Sequence, residues 1–186
     1  MTIDALIASR LLALRQAKGL SLAELAELSG VSKAMISKVE RVESSPTAVI
    51  LGRLAAGLGV PLAQLLTEDK EAEAGRRLRK KAEQAVWRDP QAGYLRRQVA
   101  ERGPDHGVEM VEVELPRSAR VAYPQWSGQP YRQRLWLVEG GLRVEYGDEV
   151  FKLEPGDCLD FGVDRPVAFK TLGRSACRYL LVVWPG

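Results

Sequence analysis

The chain has 186 residues, 46% hydrophobic and 27% charged, enough for one large domain or two small ones around real cores. With 17 Gly and 10 Pro it is neither low-complexity nor collagenous, and no apolar run approaches the roughly 18 residues that a membrane helix needs. The formal net charge is only +3, so charge alone neither demands nor excludes nucleic acid.

The first residues, MTIDALIASRLLALRQAKG, lack the basic-then-apolar order of a secretory signal, and the expected location is cytoplasmic. Ile3, Leu6, Ile7, Leu11 and Leu14 then form one stripe of a 3.6-residue period, a helix that Gly19 stops. Ser21 caps a second helix, with Glu24 completing a capping box and Leu22, Leu25, Ala26 and Leu28 as its apolar positions. Gly30 ends it, and Ser32 caps a third helix to about Val39, buried along Met35, Ile36 and Val39. Pro46 closes off that run, and a fourth helix is predicted over about 47–58. A short fifth helix holds Leu62, Leu65 and Leu66.

Residues 69–84, DKEAEAGRRLRKKAEQ, contain almost no large apolar side chain besides Leu78 and read as a basic, solvated linker. The cluster at 76–81 is either a source of phosphate contacts or plain solvated charge. From residue 86 the texture turns to β. VWRDPQAGYLRRQV (86–99), VEMVEVEL (108–115), RLWLVEGGLRVEY (134–146), EVFKLEPGDCLDF (149–161) and CRYLLVVW (177–184) are separated by Pro/Gly turns and predict an antiparallel sandwich or barrel. The division is therefore 1–68, a linker over 69–84, and 85–186.

The two cysteines, Cys158 and Cys177, lack the spacing of a zinc or redox site and are expected as buried, reduced thiols. With His106 as the single histidine, a histidine-rich metal site is excluded, and no cofactor is expected.

SLAELAELSGVSKAMISKVER (21–41) has helix-turn-helix spacing: an apolar helix ending at a glycine, a short turn, then a helix with small polar and basic residues outside. Together with LRQAKG before it and ILGRLAAGLGVPLAQLL after it, it resembles the Cro/repressor-like (XRE) family over about residues 8–66. That resemblance implies a five-helix, lambda-repressor-like DNA-binding domain with double-stranded DNA as partner. Ser32, Lys33, Ala34, Ser37 and Lys38 would face the major groove, with Arg41, Ser44, Ser45 and Thr47 near the backbone. It also implies that Arg15 and Glu40 form a structural ion pair. The family often has Gln where this chain has Leu22, which removes one expected phosphate contact. A homodimer reading half-sites about 10 base pairs apart, or a multiple of that, follows.

The stretch WLVEGGLRVEYGDEVFKLEPGDCLDF resembles the cupin family, a double-stranded β-helix barrel, over about 86–184. Its anchors are the VEG turn and the Pro155-Gly156-Asp157 turn. The fold class implied for the whole chain is α+β, multidomain. The family's metal-ligand positions, counted back from Gly140, fall on Arg134 and near Gly128 and Pro130, with the late one on Val167; none suits a metal. Metal-dependent catalysis is therefore disfavoured, although epoxidases acting on hydroxypropylphosphonate share the layout. Trp126, Tyr131, Arg132, Arg134 and Trp136 are the candidate effector pocket. For Arg134 three readings stay open: an anion-binding group, an internal ion pair with Glu145 or Asp160, or a residue outside the barrel. The leading expectation is a regulator whose barrel dimerises and binds a small effector, an acidic one where Arg134 points inward; a cupin-type enzyme and a protein-interaction module are the alternatives.

Overall fold

The computed structural model describes residues 2–66, 77–101, 107–126 and 130–185. The helical part is built from α1 (Ile3–Ala17), α2 (Leu22–Ser29), α3 (Lys33–Glu40), α4 (Ala48–Leu58) and α5 (Ala63–Leu66). Each of the first four starts where a short hydroxylated residue can take up an orphan backbone N–H. Thr2, Ser32 and Thr47 accept from the amides of Ala5, Met35 and Ile50. At α2 the box is reciprocal: Ser21 Oγ accepts from the Glu24 amide at 3.2 Å, and the Ser21 amide donates to Glu24 at 2.8 Å. Gly30 ends α2 in the left-handed region at φ 64°, which leaves Val31 and Ser32 as the turn into α3. Leu11, Leu25, Ile36, Leu51, Leu54 and Leu65 are completely buried between these helices. The close crossing of α2 and α4 depends on Gly57, where a Cβ would meet Ser29 Cβ at 2.8 Å.

Ten strands follow: β1 (Val86–Arg88), β2 (Leu95–Ala100), β3 (Glu109–Leu115), β4 (Arg120–Tyr123), β5 (Tyr131–Glu139), β6 (Gly141–Tyr146), β7 (Glu149–Leu153), β8 (Cys158–Phe161), β9 (Val167–Leu172) and β10 (Cys177–Pro185). They form two antiparallel sheets, ordered β1-β2-β3-β10-β5-β8 and β4-β9-β6-β7. Strands β3 to β6 alternate between the sheets one by one, β6 and β7 form a hairpin within the second sheet, and β8 to β10 alternate again, with β9 and β10 returning beside β4 and β3. This is an eight-stranded jelly roll, the topology that the resemblance to cupins implies, extended at one edge by β1 and β2. Gly140 makes the β5–β6 corner, with φ 77° and the Ala176 carbonyl oxygen 2.5 Å from where a Cβ would stand. In the Pro155-Gly156-Asp157 turn, the Glu154 amide donates to the Asp157 carboxylate at 2.8 Å.

Strands β4 and β9 are additions to the sequence reading. RVAY is too short to display a period, and VAFKTL is covered on both faces along most of its length, so its polar/apolar alternation is lost. The expectation of two buried thiols holds only for Cys177, whose thiol burial pushes up; Cys158 is exposed on β8. Of the linker, residues 69–76 lie outside the described set, as do His106 and Gly128. Leu78 is exposed, and Lys81–Glu83 form one 3₁₀ turn.

The helical part and the barrel share one continuous apolar cluster. Two contacts pin α4 to the barrel. The buried Asp89, between β1 and β2, accepts from the Ala48 amide at the first turn of α4, where an acid also faces the positive end of the helix dipole. The Tyr123 ring occupies the space above Gly52: a Cβ there would stand 2.5 Å from the ring.

Candidate nucleic-acid interface and barrel cavity

Helix α3 turns Ile36 and Val39 into the core and leaves Ser32, Lys33, Ala34 and Lys38 exposed, with Ser37 half-buried beside them. Ala34, Ser37, Lys38 and Arg41 recur at three- and four-residue steps and so form one outward row. Its angle is set from behind by the expected ion pair. Arg15 grips Glu40 with two hydrogen bonds of 2.6 and 2.8 Å, and its remaining nitrogen donates to the Leu20 carbonyl at 2.9 Å. The Glu40 carboxylate raises the Arg15 pKa further, so the guanidinium stays charged.

The flanking candidates are less available. Arg41 donates to Glu43 at 2.7 and 2.9 Å and also bonds to Ser37 Oγ. This neighbour holds the Glu43 carboxyl below its ordinary range, and Arg41 reaches a phosphate only by releasing it. Ser45 donates to the Asp4 carboxylate at 2.7 Å, the Thr47 hydroxyl caps α4, and Ser44 is half-buried.

On β5, burial alternates from Tyr131 onward and decides which pocket candidates face inward. Tyr131 and Trp126 line a cavity and meet edge-to-face, 5.4 Å between ring centres. Arg132, Arg134 and Trp136 point out. Arg134 makes hydrogen bonds of 2.6 and 2.9 Å to Asp160 and lies over the Trp184 ring, 5.6 Å from its centre. Of the three readings of Arg134 this is the third, with one of the two expected acids as its partner. The residue that does face inward is its neighbour Gln133, one position off the expected register.

The cavity, about 80 Å³, lies at the barrel mouth under α4. Its polar wall is Arg96 on β2 and Glu109 on β3, paired at 2.6 Å and both buried, with Tyr94, Tyr123 and Tyr179 around them. Sequence reasoning missed this pair. The available signal was an Arg and a Glu at inward positions of neighbouring strands, and β2 shows too little alternation to reveal which way Arg96 points. Burial pushes the Tyr123 and Tyr179 phenols well above 10. A phenol that resists ionisation in the fold but ionises freely when unfolded makes the unfolded state the poorer proton binder above pH 10. Stability is thus full below pH 10 and falls as pH rises beyond it, by about 1.4 kcal/mol per pH unit for each of the two tyrosines. Denaturant titrations between pH 9 and 12 check this, and Tyr179→Phe should halve the slope.

Among the described residues, no cluster of three or more His, Cys, Asp or Glu could hold a metal ion, and no helix is long and apolar enough to cross a membrane.

Residues 11–65 match the helix-turn-helix family model HTH_3. SinR of Bacillus subtilis is 34% identical over 97 residues, which are 52% of this chain and 87% of SinR. The chain belongs to the XRE-type helix-turn-helix family. SutR of Escherichia coli K12 is 49% identical to this helix-turn-helix protein over 59 residues, 32% of the chain and only 33% of SutR, so the match spans about a third of that relative. The crystal structure of an HTH_3 family transcriptional regulator from Vibrio cholerae superimposes on 99% of the chain and 98% of its own length, with a TM-score of 0.80 at 25% identity. The helix-turn-helix family is thereby shown for the helical part, and the two-part architecture recurs in a solved regulator.

Proposed function

We propose that this protein is a sequence-specific, non-catalytic transcriptional regulator of the cytoplasm. Residues 1–68 bind double-stranded DNA through α3, residues 69–84 link, and residues 85–186 hold two copies together and sense a small effector. The observation that carries the DNA-binding reading is α3 itself. An exposed row of small and basic side chains is held at a fixed angle by the Arg15–Glu40 pair, within a domain matched to DNA-binding regulators. Small side chains at Ala34 and Ser37 let the helix approach base edges, while Lys33 and Lys38 supply donors to guanine or phosphate oxygens. One such domain makes too few contacts for tight binding, and a two-fold pair is the usual remedy.

Selection of bound sequences from random DNA at a stated salt concentration tests this. The expected product is an inverted repeat with half-sites centred about 10 base pairs apart, or a multiple of that. A pool without enrichment overturns DNA reading; enrichment of an isolated half-site overturns the dimer.

A further inference from the structure

We infer that the cavity between α4 and the barrel is the effector site, that it takes a small uncharged molecule carrying a carbonyl or hydroxyl oxygen, and that Tyr123 passes occupancy on to the DNA-binding domain. This rests on the regulatory reading above and names the ligand class and the coupling residue.

Two atoms specify the guest. Arg96 is 6% exposed and lines the cavity, and its Nε has no hydrogen-bond partner among the described residues. Tyr123 also lines the cavity, and its hydroxyl, sealed from solvent beside the Tyr94 phenol, makes no hydrogen bond of ordinary geometry among the described residues. Buried donors without acceptors are costly, and a guest oxygen in the cavity can serve either. The charge of the wall excludes ions. Arg96 is paired with Glu109, and the exposed Arg165 of the same wall with Glu149 at 2.8 Å, so an anion would enter a site whose cations are already committed, and a cation would meet two guanidinium groups. Apart from Gln133, Arg165 and the tyrosines, the rest of the wall is apolar, including Leu62, Phe169 and Leu181, which suits a short hydrocarbon body. A void of about 80 Å³ has room for about five or six non-hydrogen atoms.

The coupling follows from where the wall belongs. Gly52, Ala55 and Ala56 of α4 roof a chamber whose floor is barrel. Tyr123 belongs to both sides: its hydroxyl meets the guest, and its ring is seated on the α4 backbone at Gly52. Helix α4 packs in turn on α2 through Gly57, and α2 leads directly into α3. A guest that draws in the Tyr123 hydroxyl repositions the ring on which α4 rests, and so changes the relative stability of the helical domain's arrangements.

The experiment uses the full chain and its selected operator, with N-methylacetamide as the probe and butyrate and propylammonium as charged controls. Binding is read from the ring resonances of Tyr123 and Trp126, and operator affinity is measured separately. We expect saturable binding of N-methylacetamide, about tenfold weaker binding of either ion, and a change in operator affinity of about fivefold. Tyr123→Phe, which keeps the ring, should weaken the probe about fivefold, and Ala56→Leu, which fills the roof, should abolish its binding. Absence of saturable binding, equal binding of the ions, or unchanged binding in a folded Tyr123→Phe protein overturns the site; binding without any change in operator affinity overturns the coupling. Because operator binding by the unliganded protein is measured on its own, failure of the DNA-binding reading is seen separately.

Discussion

Replacing Glu109 by Ala is expected to destabilise the protein by about 3–5 kcal/mol, the cost of leaving a buried guanidinium without its counter-charge. Arg96 and Glu109 have side-chain exposures of 7% and 2%, so solvent cannot take over from the lost carboxylate. The neighbouring phenols cannot do so either, because burial keeps them neutral. With total stabilities of about 5–15 kcal/mol, such a loss brings the fold close to its limit, and at this chain length it lowers the melting temperature by roughly 6–20 °C. Replacing both partners together, Arg96→Met with Glu109→Leu, should recover most of the loss, since an apolar pair of similar volume no longer carries the desolvation cost. Calorimetric melts of the single and double variants decide the matter. A loss below about 1 kcal/mol for Glu109→Ala would mean that Arg96 is hydrated in solution.

The pair also shows where the sequence was legible and where it was not. Helices α1 to α5 were readable because their signals are local: Ser21 with Glu24, Gly30, Ser32 and Pro46 each act within one turn of chain. The Arg15–Glu40 pair follows from the resemblance to a known family, and it has the expected geometry. Inside the barrel the signals are non-local. Whether Arg134 or Gln133 faces inward depends on a one-residue register, which the count back from Gly140 missed and the pleat of β5 decides. Arg132 and Trp136 fell outside for the same reason. The contacts of Asp89 with Ala48 and of Tyr123 with Gly52 join segments about 40 and 70 positions apart in the chain, and no local pattern of residues encodes them. The roof of the cavity is therefore a property of the assembled molecule alone.

On the DNA side, alanine at both Lys33 and Lys38 is expected to weaken operator binding by about 10²-fold or more, since each well-placed contact to a base edge is worth about 1–3 kcal/mol. Stability should stay within about 0.5 kcal/mol, because both residues are exposed and alanine suits a helix at least as well as lysine. The single variants separate reading from holding. A lysine on a phosphate loses affinity for all sequences alike and lowers the salt slope by about one per copy bound; a lysine on a base edge relaxes the preferred sequence at one position. Lys152→Ala with Lys170→Ala, at exposed positions on β7 and β9, removes the same charge from the barrel and controls for net charge. If the α3 double variant bound the operator as tightly as this barrel control, α3 would not be the reading element. The basic residues from Arg77 to Lys81 would then be the next candidates, and they would give salt-sensitive affinity with little sequence preference.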